Sequence, residues 1–207
     1  MIISFDLDGT LVDYSYADSV WCEGIPKIYA SEKKISFDEA KKYVMDEYMK
    51  VGERKIEWYN INYWFAYFDL KSDWKFLLKK YENRINVYPE VRNVLSELGK
   101  KHKLIISSNA AKEFVDVMVK NIGNYFEHTF SSTSDFKLVK KTPEFYLRLL
   151  ESLKIRKDEI IHVGDHYEFD YLVPKKVGIK AFYVDRNNTR KGRDVIKDLN
   201  ELMDKIF

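Results

Sequence analysis

The chain has 207 residues, 45% of them hydrophobic, and a mean hydropathy of −0.43. That suffices for one large domain or one domain carrying an insertion, and no apolar run approaches the roughly 18 residues of a membrane-spanning helix. Lys and Arg total 35 against 33 Asp and Glu, so a net charge of +2 supplies no field for nucleic acid or an anionic membrane, while one cysteine, Cys22, and four scattered histidines exclude an intramolecular disulfide and the usual zinc spacings.

The N-terminus, MIISFDLDGTLVD, has no basic region and no apolar stretch of export-signal length, so a cytoplasmic protein is expected. Its first apolar run, Ile2 to Phe5, reads as a strand that enters an Asp-rich turn at once. Nearly a hundred residues separate it from the next strand-like run, where a βαβ unit needs only ~30, so roughly 70 residues are inserted. Ser36 with Glu39 forms a capping box, and helical runs follow over Phe37 to Val51, Trp58 to Phe68 and Asp73 to Arg84. From Tyr14 to Tyr88 there are 18 of the chain's 32 aromatic residues, including every Trp. They serve as the core of a small helical bundle, or some of them line a substrate cavity. Short hinges are expected near Asp13 to Ser15 and Asn86 to Pro89, dividing the chain into a base (1–13 and 89–207) and a helical cap (14–88).

Helix and strand then alternate. A helix opens at Pro89, and a strand covers Lys103 to Ser107. Next come a helix over Ala111 to Ile122, a weak strand at Thr129 to Ser131, and a helix over Pro143 to Leu153 with Thr142 as N-cap. Ile160 to Val163 and Ala181 to Val184 are strands, with a helix beginning near Glu168 between them. A last helix from Asp194 aligns Val195, Ile196, Leu199, Leu202, Met203 and Ile206 on one face. The alternation implies an α/β fold, a doubly wound parallel sheet covered on both faces.

Such sheets bind ligands beyond the carboxyl ends of their strands. Those positions hold Asp6 and Asp8, then Ser107, Ser108 and Asn109, then Gly164 and Asp165. Two carboxylates as close as Asp6 and Asp8 repel unless a cation joins them, and Asp165 adds a further oxygen ligand. Oxygen-only ligation favours Mg²⁺.

Phe5-Asp6-Leu7-Asp8-Gly9-Thr10-Leu11 resembles the first motif of the haloacid dehalogenase superfamily in its phosphatase form. Lys103 to Asn109, Lys140 to Pro143 and Gly164 to Asp170 resemble its three later motifs, in the same order. The resemblance implies a Rossmann-type base with an inserted cap and a Mg²⁺-dependent phosphatase that works on a small phosphorylated metabolite through an aspartyl-phosphate. Asp6 is then the nucleophile and Asp8 the acid and base. Asp6, the Asp8 carbonyl and Asp165 hold the metal, and Asp170 lies behind them. Thr10, Ser108, Asn109 and Lys140 bind the substrate phosphoryl group, with Ser108 and Lys140 also catalytic. Ser107 is the alternative to Ser108. Counting back from Pro143 favours Lys140, with Lys141 as its alternative. His162 reads as a core residue and His166 as a loop residue. Dehalogenases of the superfamily lack an acid at the position of Asp8, because halide leaves without a proton. A phosphomutase and a non-catalytic binding module are further alternatives, and the chain is expected to be a monomer or homodimer.

Overall fold

The computed structural model describes residues 1–206. Strand β1 (Ile2–Phe5) lies at the middle of the sheet, with Ile3 and Phe5 fully buried, which suits a near-continuous apolar run. It pairs in parallel with β2 (Lys103–Ser108) on one side and β4 (Ile160–Gly164) on the other. Beyond β2 lies β3 (His128–Ser131), and beyond β4 lie β5 (Lys180–Val184) and β6 (Val195–Ile196). The order β3-β2-β1-β4-β5-β6 reverses between β1 and β4, so the crevice that binds ligands in open sheets opens at Asp6 and Asp165.

Helices cover both faces. On one, α8 (Pro143–Leu153) and α9 (Val173–Lys176) pack Phe145, Tyr146, Leu149 and Val173 onto Ile105 and Ile160. On the other, α6 (Val91–Gly99), α7 (Lys112–Ile122) and α10 (Leu199–Ile206) bury apolar stripes. Thr142 occupies the N-cap of α8, but its side chain makes no capping hydrogen bond.

Between β1 and α6 lie helices only. α1 (Ser15–Ser19) passes through a π-helical turn (Val20–Gly24) into α2 (Ile25–Lys33), which the sequence reading does not anticipate. Then come α3 (Phe37–Val51), a 3₁₀ turn (Ile56–Tyr59), α4 (Ile61–Tyr67) and α5 (Trp74–Lys80). The α3 capping box is present, with the Glu39 amide donating to Ser36 Oγ and the Ser36 amide to Glu39. The helix read over Trp58 to Phe68 is broken at Asn60, whose side chain caps α4 by accepting from the Tyr63 amide at 3.1 Å. The two segments joining this insertion to the sheet lie side by side: Val12 and Val87 form an antiparallel bridge, and Asn86 Nδ2 donates to Asp13 Oδ2 at 3.1 Å.

The final helix is also corrected. Val195 and Ile196 are strand, because the Asp185 amide donates to the Ile196 carbonyl at 2.7 Å and so completes the sheet edge. Helix α10 starts only after Asp198, whose carboxylate accepts from the Asn200 amide at 2.8 Å. Among the described residues no helix is long and apolar enough to cross a membrane.

One continuous set of buried side chains runs from Phe5 and Ile106 in the sheet through Tyr16 and Val44 to Trp64 in the insertion. Trp64 is fully buried, with its ring 4.5 Å from that of Tyr48 and its indole N–H donating to the Trp58 carbonyl. Trp64→Ala should therefore lower the unfolding free energy by about 3–5 kcal/mol. Urea unfolding followed by far-UV circular dichroism and fluorescence should give coincident single transitions. An early separate loss of the insertion would contradict a shared core.

Candidate functional site

Asp6 follows β1 directly, its amide donating to the Val163 carbonyl of β4 at 2.8 Å, so sheet pairing itself fixes its position. The chain then turns at Gly9, which has φ +79°; a Cβ there would stand 2.1 Å from Asp165 Oδ2. Only glycine allows this turn to lie against the acid at the end of β4. A Cβ on Gly164 would likewise stand 2.5 Å from Asp170 Cγ.

Asp6, Asp165 and Asp170 each offer an oxygen within a span of 4.8 Å. The lysine that meets them is Lys141, where counting from Pro143 favours Lys140. Lys141 is fully buried; its ammonium donates to Asp6, to Asp170 at 2.5 Å and to the Ser107 carbonyl at 3.0 Å. The reason is a tight turn: the Thr142 amide donates to the Lys140 carbonyl at 2.8 Å, and the Lys141 amide donates to Asn109 Oδ1 at 2.8 Å, which points adjacent side chains in opposite directions. Lys140 sits at the rim instead, its Nζ 3.3 Å from Glu53 Oε2 of the insertion and 5.6 Å from the Tyr59 ring centre.

Asp170 receives more than Lys141. His162 Nε2 donates to its Oδ1 at 2.9 Å, and the His166 amide donates to its Oδ2 at 3.0 Å. His162 is itself buried and hydrogen-bonded through Nδ1 to Ser4, whose hydroxyl also meets Ser107 Oγ at 2.8 Å. With both oxygens engaged, Asp170 serves to hold Lys141 rather than to offer a free ligand oxygen.

The charges follow from this packing. Burial opposes ionisation of Asp170, but Lys141 and His162 override it and hold its carboxyl below the usual range. Burial also opposes the Lys141 charge, yet Asp170 and Asp6 keep its ammonium above the ordinary lysine range. Burial and the neighbouring carboxylates push Asp6 up against the pull of Lys141. Burial pushes Asp165 up as well, against the hydrogen bond from Tyr14. Burial and Asp165 raise Asp8 to about 7, and Asp8 Oδ1 is buried with no hydrogen-bond partner. An oxygen-only group of buried acids with too little positive charge, next to an unpartnered carboxylate oxygen, fits a hard divalent cation.

Thr10 does not line the cavity. It is fully buried beneath the acids, its hydroxyl 3.5 Å from Asp6 Oδ2 and 3.3 Å from Asp165 Oδ1, so the expectation that it touches substrate is replaced by a supporting position. Ser107 faces the Ser4 and His162 network, whereas Ser108 and Asn109 line the cavity. Ser108 Oγ accepts from the Ala110 amide at 3.0 Å, which leaves its hydroxyl proton free to donate. His166 is exposed at the cavity edge.

The sequence reading misses two supports. Tyr14 OH donates to Asp165 Oδ2 at 2.7 Å. Arg186 Nη2 donates to the Thr10 carbonyl at 2.7 Å and to Glu90 at 2.8 Å, and its guanidinium lies 3.5 Å over the Tyr88 ring. Arg186 stands just after β5, the kind of strand-end position where a functional side chain is expected.

A cavity of about 420 Å³ opens over these groups, lined by Asp6, Asp8, Ser108, Asn109 and Asp165 from the strand ends and by aromatic side chains of the insertion. Breaking the buried network should cost far more than breaking the rim pair. Lys141→Met should lower the unfolding free energy by about 3–5 kcal/mol, since it strands Asp6 and Asp170, while Lys140→Met should cost at most about 1 kcal/mol. Urea denaturation of both variants checks this, and equal losses would contradict the assignment of the buried lysine.

The sequence model of haloacid dehalogenase-like hydrolases matches residues 1–178. Among curated proteins, a glyceraldehyde 3-phosphate phosphatase of Pyrococcus furiosus is 27% identical over 88% of this chain and 79% of its own length. One from Methanocaldococcus jannaschii is 26% identical over 98% of this chain and 95% of its own. Among solved structures, a phosphatase of the same superfamily from Thermococcus onnurineus superposes with a TM-score of 0.81 at 25% identity, covering 99% of this chain and 97% of that one.

Proposed function

The chain belongs to the haloacid dehalogenase-like hydrolases, and from that membership and the site geometry we propose that it is a Mg²⁺-dependent phosphatase. On this reading it hydrolyses a small-molecule phosphomonoester through a phosphoryl group carried on Asp6, with residues 14–88 acting as a cap over a base formed by 1–13 and 89–207. The observation that carries the phosphatase reading is Asp8. Its carboxyl lines the cavity beside Asp6 and is raised to about 7, where it can hold a proton for an alkoxide leaving group.

The reaction balances on these residues. An Asp6 oxygen attacks phosphorus in line, forming one P–O bond as the ester P–O bond breaks, and Asp8 gives its proton to the departing alkoxide. Asp8 then takes a proton from water, whose oxygen bonds to phosphorus and releases the Asp6 carboxylate. Phosphate and the alcohol are the products. The Ser108 hydroxyl and the Asn109 amide, whose oxygen is already engaged by the Lys141 amide, donate to phosphoryl oxygens. Lys141 favours the ionised form of Asp6 and orients it, against the burial and carboxylates that push its carboxyl up, and Asp170 with His162 holds Lys141. Asp6, Asp165 and the Asp8 carbonyl are the groups that would hold Mg²⁺, which would supply positive charge to offset the carboxylates and a dianionic phosphoryl group.

Phosphate release in the presence of Mg²⁺ tests the reading. Asp6→Asn should lower kcat on p-nitrophenyl phosphate by at least about a thousandfold. Asp8→Asn should lower kcat on an alkyl phosphate by about a hundred- to ten-thousandfold. Its effect on kcat/KM, which reports only the transfer to Asp6, should be much smaller for p-nitrophenyl phosphate than for the alkyl ester, because that leaving group departs without a proton. By contrast, kcat falls on both esters, because Asp8 is also the base of the second step. Equal losses of kcat/KM on the two esters would contradict the acid role, and full activity in excess EDTA would contradict the metal.

A further inference from the structure

The cavity above the acids is built from two helix faces and a lid. Helix α1 and its π turn bring in Ala17, Trp21 and Cys22, while Ala111, Phe114 and Met118 come from one face of α7. Met45 and Tyr48 from α3, with Trp58 and Tyr59 from the 3₁₀ turn, close it from above. Trp21 stacks on Phe114 with ring centres 5.2 Å apart and planes at 15°, and Tyr48 meets Trp21 edge-on at 6.0 Å. These rings hold one another in place, so the space persists as an apolar chamber rather than collapsing.

The tyrosine hydroxyl protons of this chamber are already engaged. Tyr48 OH donates to the Trp21 carbonyl at 3.3 Å, Tyr59 OH to the Glu53 carbonyl at 3.2 Å, and Tyr14 OH to Asp165. The other ionisable side chains away from the acid cluster sit toward solvent: Asp18, Glu53 and His166 are exposed, and Glu53 is paired with the half-buried Lys140. A polyol would bring more hydroxyls among these rings than there are partners for, which costs about tenfold or more in affinity for each one left unpaired.

We infer that Trp21, Met45, Tyr48, Trp58, Phe114 and Met118 select a phosphomonoester of a hydroxyl-poor, ring-bearing alcohol, its ring seated among these side chains and its phosphoryl group on Asp6. This assignment rests on the phosphatase reading and goes beyond it in naming the leaving group. Burying one ring adds roughly tenfold or more in binding over an alkyl chain of two or three carbons.

Leaving-group chemistry must be matched in the test, so all the discriminating esters are of primary alcohols. Phosphate release by the full chain with Mg²⁺ is measured on 2-phenylethyl phosphate, ethyl phosphate, glycerol 3-phosphate and glyceraldehyde 3-phosphate, with p-nitrophenyl phosphate as the general substrate. The expected result is a kcat/KM at least about tenfold higher for 2-phenylethyl phosphate than for the other primary esters, carried mainly by KM, and a preference that shrinks at least about fivefold in Trp58→Ala. Comparable or better turnover of glycerol 3-phosphate or glyceraldehyde 3-phosphate overturns the inference and leaves the phosphatase standing. No release from any ester, p-nitrophenyl phosphate included, overturns both. The wild-type panel decides the matter even if Trp58→Ala does not fold.

Discussion

A single buried ammonium makes this site possible. The carboxyl ends of two adjacent parallel strands deliver Asp6 and Asp165 into one crevice, the turn after β4 adds Asp170, and Asp8 stands two residues from Asp6. Without positive charge these acids would repel one another or take up protons. Lys141 joins Asp6 to Asp170 from below, leaving Asp6, Asp8 and Asp165 facing the cavity above. That division gives the acids two kinds of partner: a fixed one within the protein, and a place for a cation on the ligand side.

The rest of the structure can be traced to holding that arrangement. Glycine at positions 9 and 164 lets backbone lie against carboxylates. Ser4, Ser107 and His162, all buried in neighbouring strands, form a polar chain beneath Asp170, which fixes the acid that fixes the lysine. Arg186 ties the carbonyls of Gly9 and Thr10 to Glu90, so the turn carrying Asp8 is braced from the end of β5. Above the acids the insertion shares its apolar core with the sheet and supplies the aromatic walls of the cavity. The aromatic excess of residues 14–88 thus has both explanations: Trp64 and Tyr16 are core, and Trp21 and Trp58 face the cavity.

Legibility in the sequence follows the strength of local signals. Strand β1 and helices α3 and α8 lie where the apolar runs and the Ser36 and Pro143 start signals put them. The helical path from Ser15 to Lys33 is hidden because Gly24 and Pro26 look like breakers. In the fold a π turn absorbs the irregularity, Pro26 lies in the first turn of α2, and Gly24 lets Leu77 approach to within 2.7 Å of where a Cβ would be. Val195 and Ile196 continue the apolar period of α10, so only pairing with β5 reveals them as strand, although Asp198 followed by Glu201 already marks the helix start. At the site, strand ends identify Asp6, Asp8, Ser108 and Asp165 as residues that meet, because sheet geometry leaves them nowhere else to go. The choice between Lys140 and Lys141 depends on a turn closed by Asn109, some thirty residues away in sequence, and counting along the chain cannot see it.

In the proposed mechanism the phosphoryl group passes through Asp6, held by Lys141. Acid quenching during turnover of p-nitrophenyl phosphate with Mg²⁺, followed by peptide mapping in a mass spectrometer, tests it most directly. A phosphoryl group is expected on Asp6 in the wild type and none in Asp6→Asn. A phosphoryl group found on another residue while turnover proceeds, or undiminished turnover in Asp6→Asn, would contradict it.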